Sequence, residues 1–286
     1  MIERIAILGT GLLGTSAGLA LRAAGFQGTI TGWNRSVEQA EVALKMGALS
    51  AVASDPIQMA GENQVVVLAT PVFAILDWME QLAGVLGPEH LLTDVGSTKG
   101  QITDAADRLF NRPGRAGFLP GHPMAGKERG GAVLGDADLF RGAVWMFTDR
   151  PDWKRPMKSA ELAAEFRGWV AAIGSKIIDL DAVRHDELVA WVSHLPQFVA
   201  TGLSALLEDA VGEAPELKDV GGRGLREMTR LGASPYSMWR DIAHTNTQAV
   251  QAALFALEQR LAHIRENLKT PELREEFDKA NRFRRE

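Results

Sequence analysis

Through its first 180 residues the chain alternates short apolar or β-rich runs with longer stretches of helical periodicity. The runs are Ile5-Ala6-Ile7-Leu8, Thr29-Ile30-Thr31-Gly32-Trp33, Val65-Val66-Val67-Leu68-Ala69, Leu91-Leu92-Thr93 and Ala116-Gly117-Phe118-Leu119. They have the length of strands, and their apolarity suits a parallel sheet covered on both faces. Residues 15–24, 36–46 and 157–173 have the pattern of helices, each closed by a glycine: Gly25, Gly47 and Gly174. Ser54-Asp55-Pro56 starts another, with proline at the first helical position. Residues 142–148 and 176–180 are further strand candidates, and 149–156, with two prolines, is a surface loop. The alternation predicts a doubly wound α/β domain over residues 1–180.

Past Asp181 no strand pattern recurs, and residues 181–286 are expected to form an all-α domain. One amphipathic helix is expected over about residues 182–211, and a second from Ser234-Pro235 to about Leu268. Thr270-Pro271 opens a charged terminal helix, and Gly221-Gly222-Arg223-Gly224 breaks the helical pattern. Long apolar helices in so small a domain find few partners within one chain, which predicts an intertwined homodimer.

The first strand runs straight into Gly9-Thr10-Gly11-Leu12-Leu13-Gly14, inside a strand–helix–strand unit of about thirty residues. In that setting the glycines serve a dinucleotide. Gly9 makes the tight turn, Gly11 admits a pyrophosphate to the backbone, and Gly14 lets helix and strand pack closely. The helix N-terminus adds free N–H groups and a positive dipole end, and the domain is therefore expected to be of Rossmann type. Where an Asp or Glu would grip the ribose hydroxyls of NAD stands Asn34, followed by Arg35 and Ser36. A neutral residue, a guanidinium and a hydroxyl suit a 2′-phosphate, so the cofactor leans to NADP over NAD. Ser36 also fits the N-cap of the next helix, with Gln39 completing a capping box. Thr70-Pro71, Ser97-Thr98-Lys99 and His122 fall beyond later strands, at the edge where ligands of such sheets bind.

A chain of 286 residues, 46% hydrophobic and 23% charged, can build one large or two modest domains. The absence of cysteine excludes disulfides, thiolate metal sites and cysteine nucleophiles, and no metal is expected. A net charge of −5 gives no reason to expect a nucleic-acid partner. No apolar run approaches a membrane span. The first strand begins within five residues of Met1, so no leader is expected and a cytoplasmic protein is the default.

Gly121-His122-Pro123-Met124-Ala125-Gly126 is expected to be a stiff loop, since Pro123 fixes its own φ and biases His122 toward an extended backbone. An imidazole held there suits a general base near neutral pH. His185 and His194 lie nine residues apart, about 180° out of phase on a helix, and share no site unless Pro196 bends it. His185-Asp186 is expected to be a helix-start or interdomain feature, outside the site.

Taken in order, six stretches resemble the prephenate/arogenate dehydrogenases, the TyrA family. They are Gly9 to Gly14, Ala69-Thr70-Pro71, Asp94-Val95-Gly96-Ser97-Thr98-Lys99-Gly100, the histidine segment at 121–126, Ser193-His194-Leu195-Pro196, and Thr229-Arg230 with Met238-Trp239-Arg240-Asp241. The resemblance covers essentially the whole chain. It implies a Rossmann domain followed by a helical dimerisation domain. It also implies nicotinamide-dependent oxidative decarboxylation of prephenate to 4-hydroxyphenylpyruvate, of arogenate to tyrosine, or of both. Position by position it implies that His122 takes the proton of the ring hydroxyl and that Ser97 orients that hydroxyl. His194 and Arg230 would bind substrate, Arg230 on a carboxylate, and Glu128 would line the pocket entrance. Plainer roles stand beside these: Arg230 as an interdomain salt bridge, Ser97 as a helix N-cap, Lys99 as a helix-surface lysine, Trp239 as a packing anchor. Glu128 would favour the ammonium of arogenate, but Lys127 and Arg129 beside it leave the substrate undecided. Neither a chorismate mutase segment before the chain nor a regulatory module after it is expected. Two other functions fit a Rossmann domain joined to helices: a β-hydroxyacid or imine dehydrogenase, and a non-catalytic NADP-binding protein.

Overall fold

The protein is described by a computed structural model covering residues 1–214 and 216–285. Six strands, β1 (Arg4–Leu8), β2 (Thr29–Trp33), β3 (Ala51–Val52), β4 (Val65–Leu68), β5 (Leu91–Asp94) and β6 (Gly117–Leu119), pair in parallel in the order β3-β2-β1-β4-β5-β6. Between them lie α1 (Leu12–Ala23), α2 (Val37–Lys45), α3 (Pro56–Glu62), α4 (Val72–Leu82) and α5 (Gly100–Phe110). The unbroken apolarity of β4 explains its place at the centre of the sheet. Val65 and Val67 pack with Ile5, Ile7 and α1 on one face, and Val66 and Leu68 with Ala6, Leu8 and α4 on the other. This is the doubly wound Rossmann arrangement, and the strand order reverses between β1 and β4, which opens a crevice above their carboxyl ends.

After Pro120 the chain leaves this sheet for a smaller one. It contains β7 (Gly121–Pro123), β8 (Val144–Phe147) and, after α6 (Met157–Ala172), β9 (Lys176–Asp179), with β7 antiparallel and β9 parallel to β8. The segment expected as a loop is therefore a strand at its start, with His122 opposite Met146. Pro123 is tolerated because β7 is an edge strand, where a missing N–H costs no ladder bond.

The second half is all helical, as expected, but two long helices are interrupted. α7 (Ala182–Val189) leads into a π turn (Ala190–His194) and then α8 (Leu195–Val211). Pro196 cannot donate to the carbonyl of Val192 and its ring crowds that carbonyl, so the turn before it widens. α9 (Leu217–Val220) and α10 (Arg223–Thr229) flank the break at Gly221-Gly222, and a 3-10 turn (Arg230–Ala233) follows. The helix expected over 234–268 is split into α11 (Tyr236–Thr245) and α12 (Thr247–Glu266) by Asn246, at φ −132° and ψ 35°. Its side chain is committed elsewhere, donating to Asp186 O at 2.8 Å. α13 (Pro271–Arg285) is the charged terminal helix. No helix among the described residues is long and apolar enough to cross a membrane.

Helix capping joins the halves. Neither α4 nor α5 has a capping side chain of its own, with Pro71 and Lys99 at the N-cap positions. Carboxylates from the helical half fill both places. Asp186 Oδ1 accepts from Lys99 N at 2.7 Å and its Oδ2 from Gly100 N at 2.8 Å, while Asp241 Oδ2 accepts from Phe73 N at 3.3 Å. Free N–H groups and the positive end of the dipole make a helix start a natural seat for an anion. Thr98 and Thr245 hydroxyls add a contact of 2.7 Å.

Candidate active site

The dinucleotide cradle is built at the end of β1. Gly9 has φ +101°, and a β-carbon there would strike Ala69 O; one at Gly14 would strike Gly9 O. Beside Gly11 the corresponding space is open, with nothing within 4 Å. The first turn of α1 has no side-chain cap, so its N–H groups remain available for phosphate. Thr10 and Thr70 bring hydroxyls that are buried without a hydrogen-bond partner, Thr70 against Gly9. Buried orphans of this kind are costly, and a polar ligand laid over the turn would satisfy them. Leu12 and Leu13 continue into α1, with Leu12 buried beneath the cradle. The residues present therefore fit a dinucleotide.

At the end of β2, Asn34 Oδ1 accepts from Ser36 N at 3.1 Å and Ser36 Oγ accepts from Gln39 N at 3.4 Å. Ser36 is thus the N-cap of α2, but the expected capping box does not close. Gln39 Oε1 instead accepts from Ala132 N at 2.6 Å, which ties a distant loop to the helix. Arg35 is exposed beside them.

His122 lies at the carboxyl edge of the main sheet, 7% exposed. Its Nδ1 is 2.8 Å from His185 Nε2, and His185 Nδ1 is 2.8 Å from Asp186 Oδ1. Among the described residues His122 Nε2 has no hydrogen-bond partner. Behind β7, Lys99 is fully buried, ion-paired with Asp94 and donating to Gly121 O at 2.8 Å. Asp94 also accepts from Gly96 N at 2.8 Å and Gly121 N at 3.1 Å, so one carboxylate fixes both the Ser97 loop and the start of the His122 strand. His194, on the π turn, is buried with Nδ1 3.4 Å from Asn246 Nδ2 and Trp239 edge-on at 5.9 Å.

Burial holds all three imidazoles neutral. It pushes the His122 pKa well below the usual value, helped by His185, Lys99 and His194. It lowers that of His185 against an opposing pull from Asp186, and takes that of His194 down to about 4. Burial likewise lowers the Lys99 pKa, with Asp94 pulling it back up.

These contacts correct several expectations. His185, set outside the site, touches His122 directly. A π turn takes up an extra residue and removes roughly 100° of the offset that a regular helix would put between His185 and His194. Lys99 is a buried structural cation, not a surface lysine. Ser97 is half-buried and does not cap α5, whose start lies at Gly100 under Asp186; its hydroxyl makes no hydrogen bond among the described residues. Arg230 and Glu128 form an ion pair between the halves, with side chains 60% and 34% exposed, so the interdomain salt bridge is present. Trp239 packs against His194 and Phe198, as expected of an anchor. Asp94, Asp241 and Asn246 were given no role, while Asp186, expected as an interdomain feature outside the site, does join the halves and also reaches the site through His185.

Residues 17–177 match the family described as "Prephenate dehydrogenase, nucleotide-binding domain", and residues 181–282 match "Prephenate dehydrogenase, dimerization domain". The chain is 33% identical to prephenate dehydrogenase of Bacillus subtilis (strain 168) over 87% of its length, and spans 66% of that relative. It is 30% identical to cyclohexadienyl dehydrogenase of Zymomonas mobilis, over 89% of this chain and 84% of that one. The crystal structure of prephenate dehydrogenase from Aquifex aeolicus in complex with hydroxyphenyl propionate and NAD+ superposes with a TM-score of 0.84 at 28% identity, covering 100% of this chain and 98% of that one.

Proposed function

Because the chain belongs to the prephenate dehydrogenase family, we propose that it catalyses the nicotinamide-dependent oxidative decarboxylation of prephenate, arogenate or both, as a cytoplasmic enzyme of tyrosine biosynthesis. One observation carries the reading. His122 is a neutral, ring-fixed imidazole whose Nε2 is left without a protein partner at the same sheet edge as the glycine cradle. Hydride leaves a carbinol carbon more readily as the hydroxyl proton departs, and His122 Nε2 would take that proton. The free Ser97 hydroxyl would orient the substrate hydroxyl. Gly9, Thr10, Gly11, Leu12, Leu13, Gly14, Thr70 and Pro71 would hold the dinucleotide, whose nicotinamide would supply the hydride acceptor. Loss of carbon dioxide then aromatises the ring without further help from the chain.

An anionic substrate needs donors. Arg230 offers a guanidinium fork that a substrate carboxylate would share with, or take from, Glu128. His194, neutral with a pKa near 4, would contribute a hydrogen bond rather than a charge. Asn34, Arg35 and Ser36 favour NADP over NAD, since no carboxylate stands there to repel a 2′-phosphate. The reading divides the chain at 180/181 and makes it a homodimer. Exposed Trp191, Val192, Leu206 and Phe255 supply apolar surface on the helical half for a second copy to cover.

A two-by-two assay of prephenate or arogenate, each with NAD or NADP, tests this with His122→Asn alongside. Turnover in at least one combination, lowered on the order of 10²–10⁴-fold in the variant, is the expected result. Folded, cofactor-binding protein with no turnover in any combination would overturn it in favour of a hydroxyacid dehydrogenase or a non-catalytic binding protein.

A further inference from the structure

We propose that His185 and Asp186 form a proton-ordering chain behind His122, which fixes its tautomer with the proton on Nδ1 and keeps Nε2 free to accept. The two are positioning residues, and the inference rests on the reading of His122 as the base.

The order of the protons follows from the partners. Both oxygens of Asp186 face N–H donors, Lys99 N on Oδ1 and Gly100 N on Oδ2, so neither carries a proton. The contact of 2.8 Å between Asp186 Oδ1 and His185 Nδ1 therefore needs a proton on Nδ1. A neutral imidazole has only one, which leaves His185 Nε2 as an acceptor. The 2.8 Å contact with His122 Nδ1 must then be a donation from His122, and the lone pair of His122 falls on Nε2. Nothing in the chain can reverse without placing a proton on the carboxylate or leaving a buried nitrogen unpaired.

The same arrangement serves the step that follows. When Nε2 takes the hydroxyl proton, His122 becomes an imidazolium whose Nδ1–H still points at His185 Nε2. His185 in turn donates to a carboxylate, so the new charge is stabilised along the chain with no change of oxidation state. The other groups around this cluster are Lys99 and His194, which oppose a charge on His122, Asp94, which favours one on His185, and Asn246, which donates to Asp186 O. Because Asp186 is held by the start of α5, the tautomer of the base depends on the docking of the two halves.

The test uses full-length protein labelled with 15N in its histidines, reading the ring nitrogen shifts of His122 together with kcat and KM. In the unaltered protein His122 is expected to be protonated on Nδ1. In Asp186→Ala, His185 Nδ1 loses its acceptor, the order of the protons is no longer imposed, and His122 should show protonation shared between Nδ1 and Nε2. kcat should fall in proportion to the fraction of His122 protonated on Nε2, with KM little changed. His185→Gln can still accept from His122 and donate to Asp186, and should recover most of what His185→Leu loses. This second pair leaves the cap on α5 untouched and keeps the test decisive if Asp186→Ala does not fold. Protonation of His122 on Nε2 in the unaltered protein, an unchanged tautomer in Asp186→Ala, or equal losses in the Gln and Leu variants would each overturn the proposal. Absence of any turnover with the expected tautomer pattern would overturn the proposed reaction and support the chain.

Discussion

Replacing Lys99 by methionine should cost the protein about 3–5 kcal/mol of stability, the usual penalty for removing one partner of a buried ion pair. The side chain is 0% exposed, and so is that of Asp94, to which it is paired. Methionine fills nearly the same volume, so the loss is electrostatic rather than a cavity. What remains is a buried carboxylate holding only the N–H groups of Gly96 and Gly121, beside a Gly121 carbonyl deprived of its 2.8 Å donor. Asp94→Ala should be damaging for the mirror reason, leaving a buried ammonium. The double variant removes both charges and should lose less than the sum of the single variants by more than about 1 kcal/mol. Urea unfolding of the four proteins gives the cycle, and thermal melts should show a fall on the order of 10 °C for Lys99→Met. A loss below about 1 kcal/mol for Lys99→Met, or additivity within about 0.5 kcal/mol, would refute the claim that this pair fastens the His122 strand to the Ser97 loop.

The buried histidines should make the fold sensitive to acid. His194 has a pKa of about 4 in the folded protein against 6.5 when free, so below pH 6.5 the unfolded chain binds a proton that the folded one refuses. Stability is then present above pH 6.5 and lost as pH falls toward 4, by about 3 kcal/mol for this group alone, with His122 and His185 acting in the same direction. Urea titrations at pH 7 and pH 5 should show the loss, and His194→Asn should narrow the gap; an equal gap in the variant would remove His194 from the account. Arg230→Ala should lower kcat/KM about 10–100-fold, mainly through KM, since a charge-assisted hydrogen bond is worth about 1.5–3 kcal/mol. An unchanged KM in steady-state kinetics would assign Arg230 to the ion pair with Glu128 alone.

Much of the nucleotide-binding half was legible along the chain. Val65-Val66-Val67-Leu68 is buried on both faces because an unbroken apolar run has no other stable place, and Gly9 and Gly14 sit where a β-carbon has no room. Ser36 and Asp55 cap their helices because their side chains reach N–H groups two or three residues on. These are local effects of backbone sterics, capping and hydration, each settled within a few residues. The π turn at Ala190–His194 lay at the limit of such reasoning. Pro196 announced an irregularity, but how the backbone would absorb it depended on packing.

What the tertiary structure alone decided is which groups meet across the chain. Asp186 reaches Lys99 N from 87 positions away, His185 reaches His122 from 63, and Thr98 meets Thr245 over 147. No periodicity encodes such pairings, because a buried acceptor is satisfied by any donor the fold delivers, and the choice among donors is made when the two halves pack. The sequence by itself determined a Rossmann half with a glycine cradle, a helical half and His122 at the sheet edge. Whether that histidine stood alone, and that Lys99 lay in the core and not on the surface, was decided by docking. Desolvation made the pairing of Asp186, His185 and Lys99 there worth its cost.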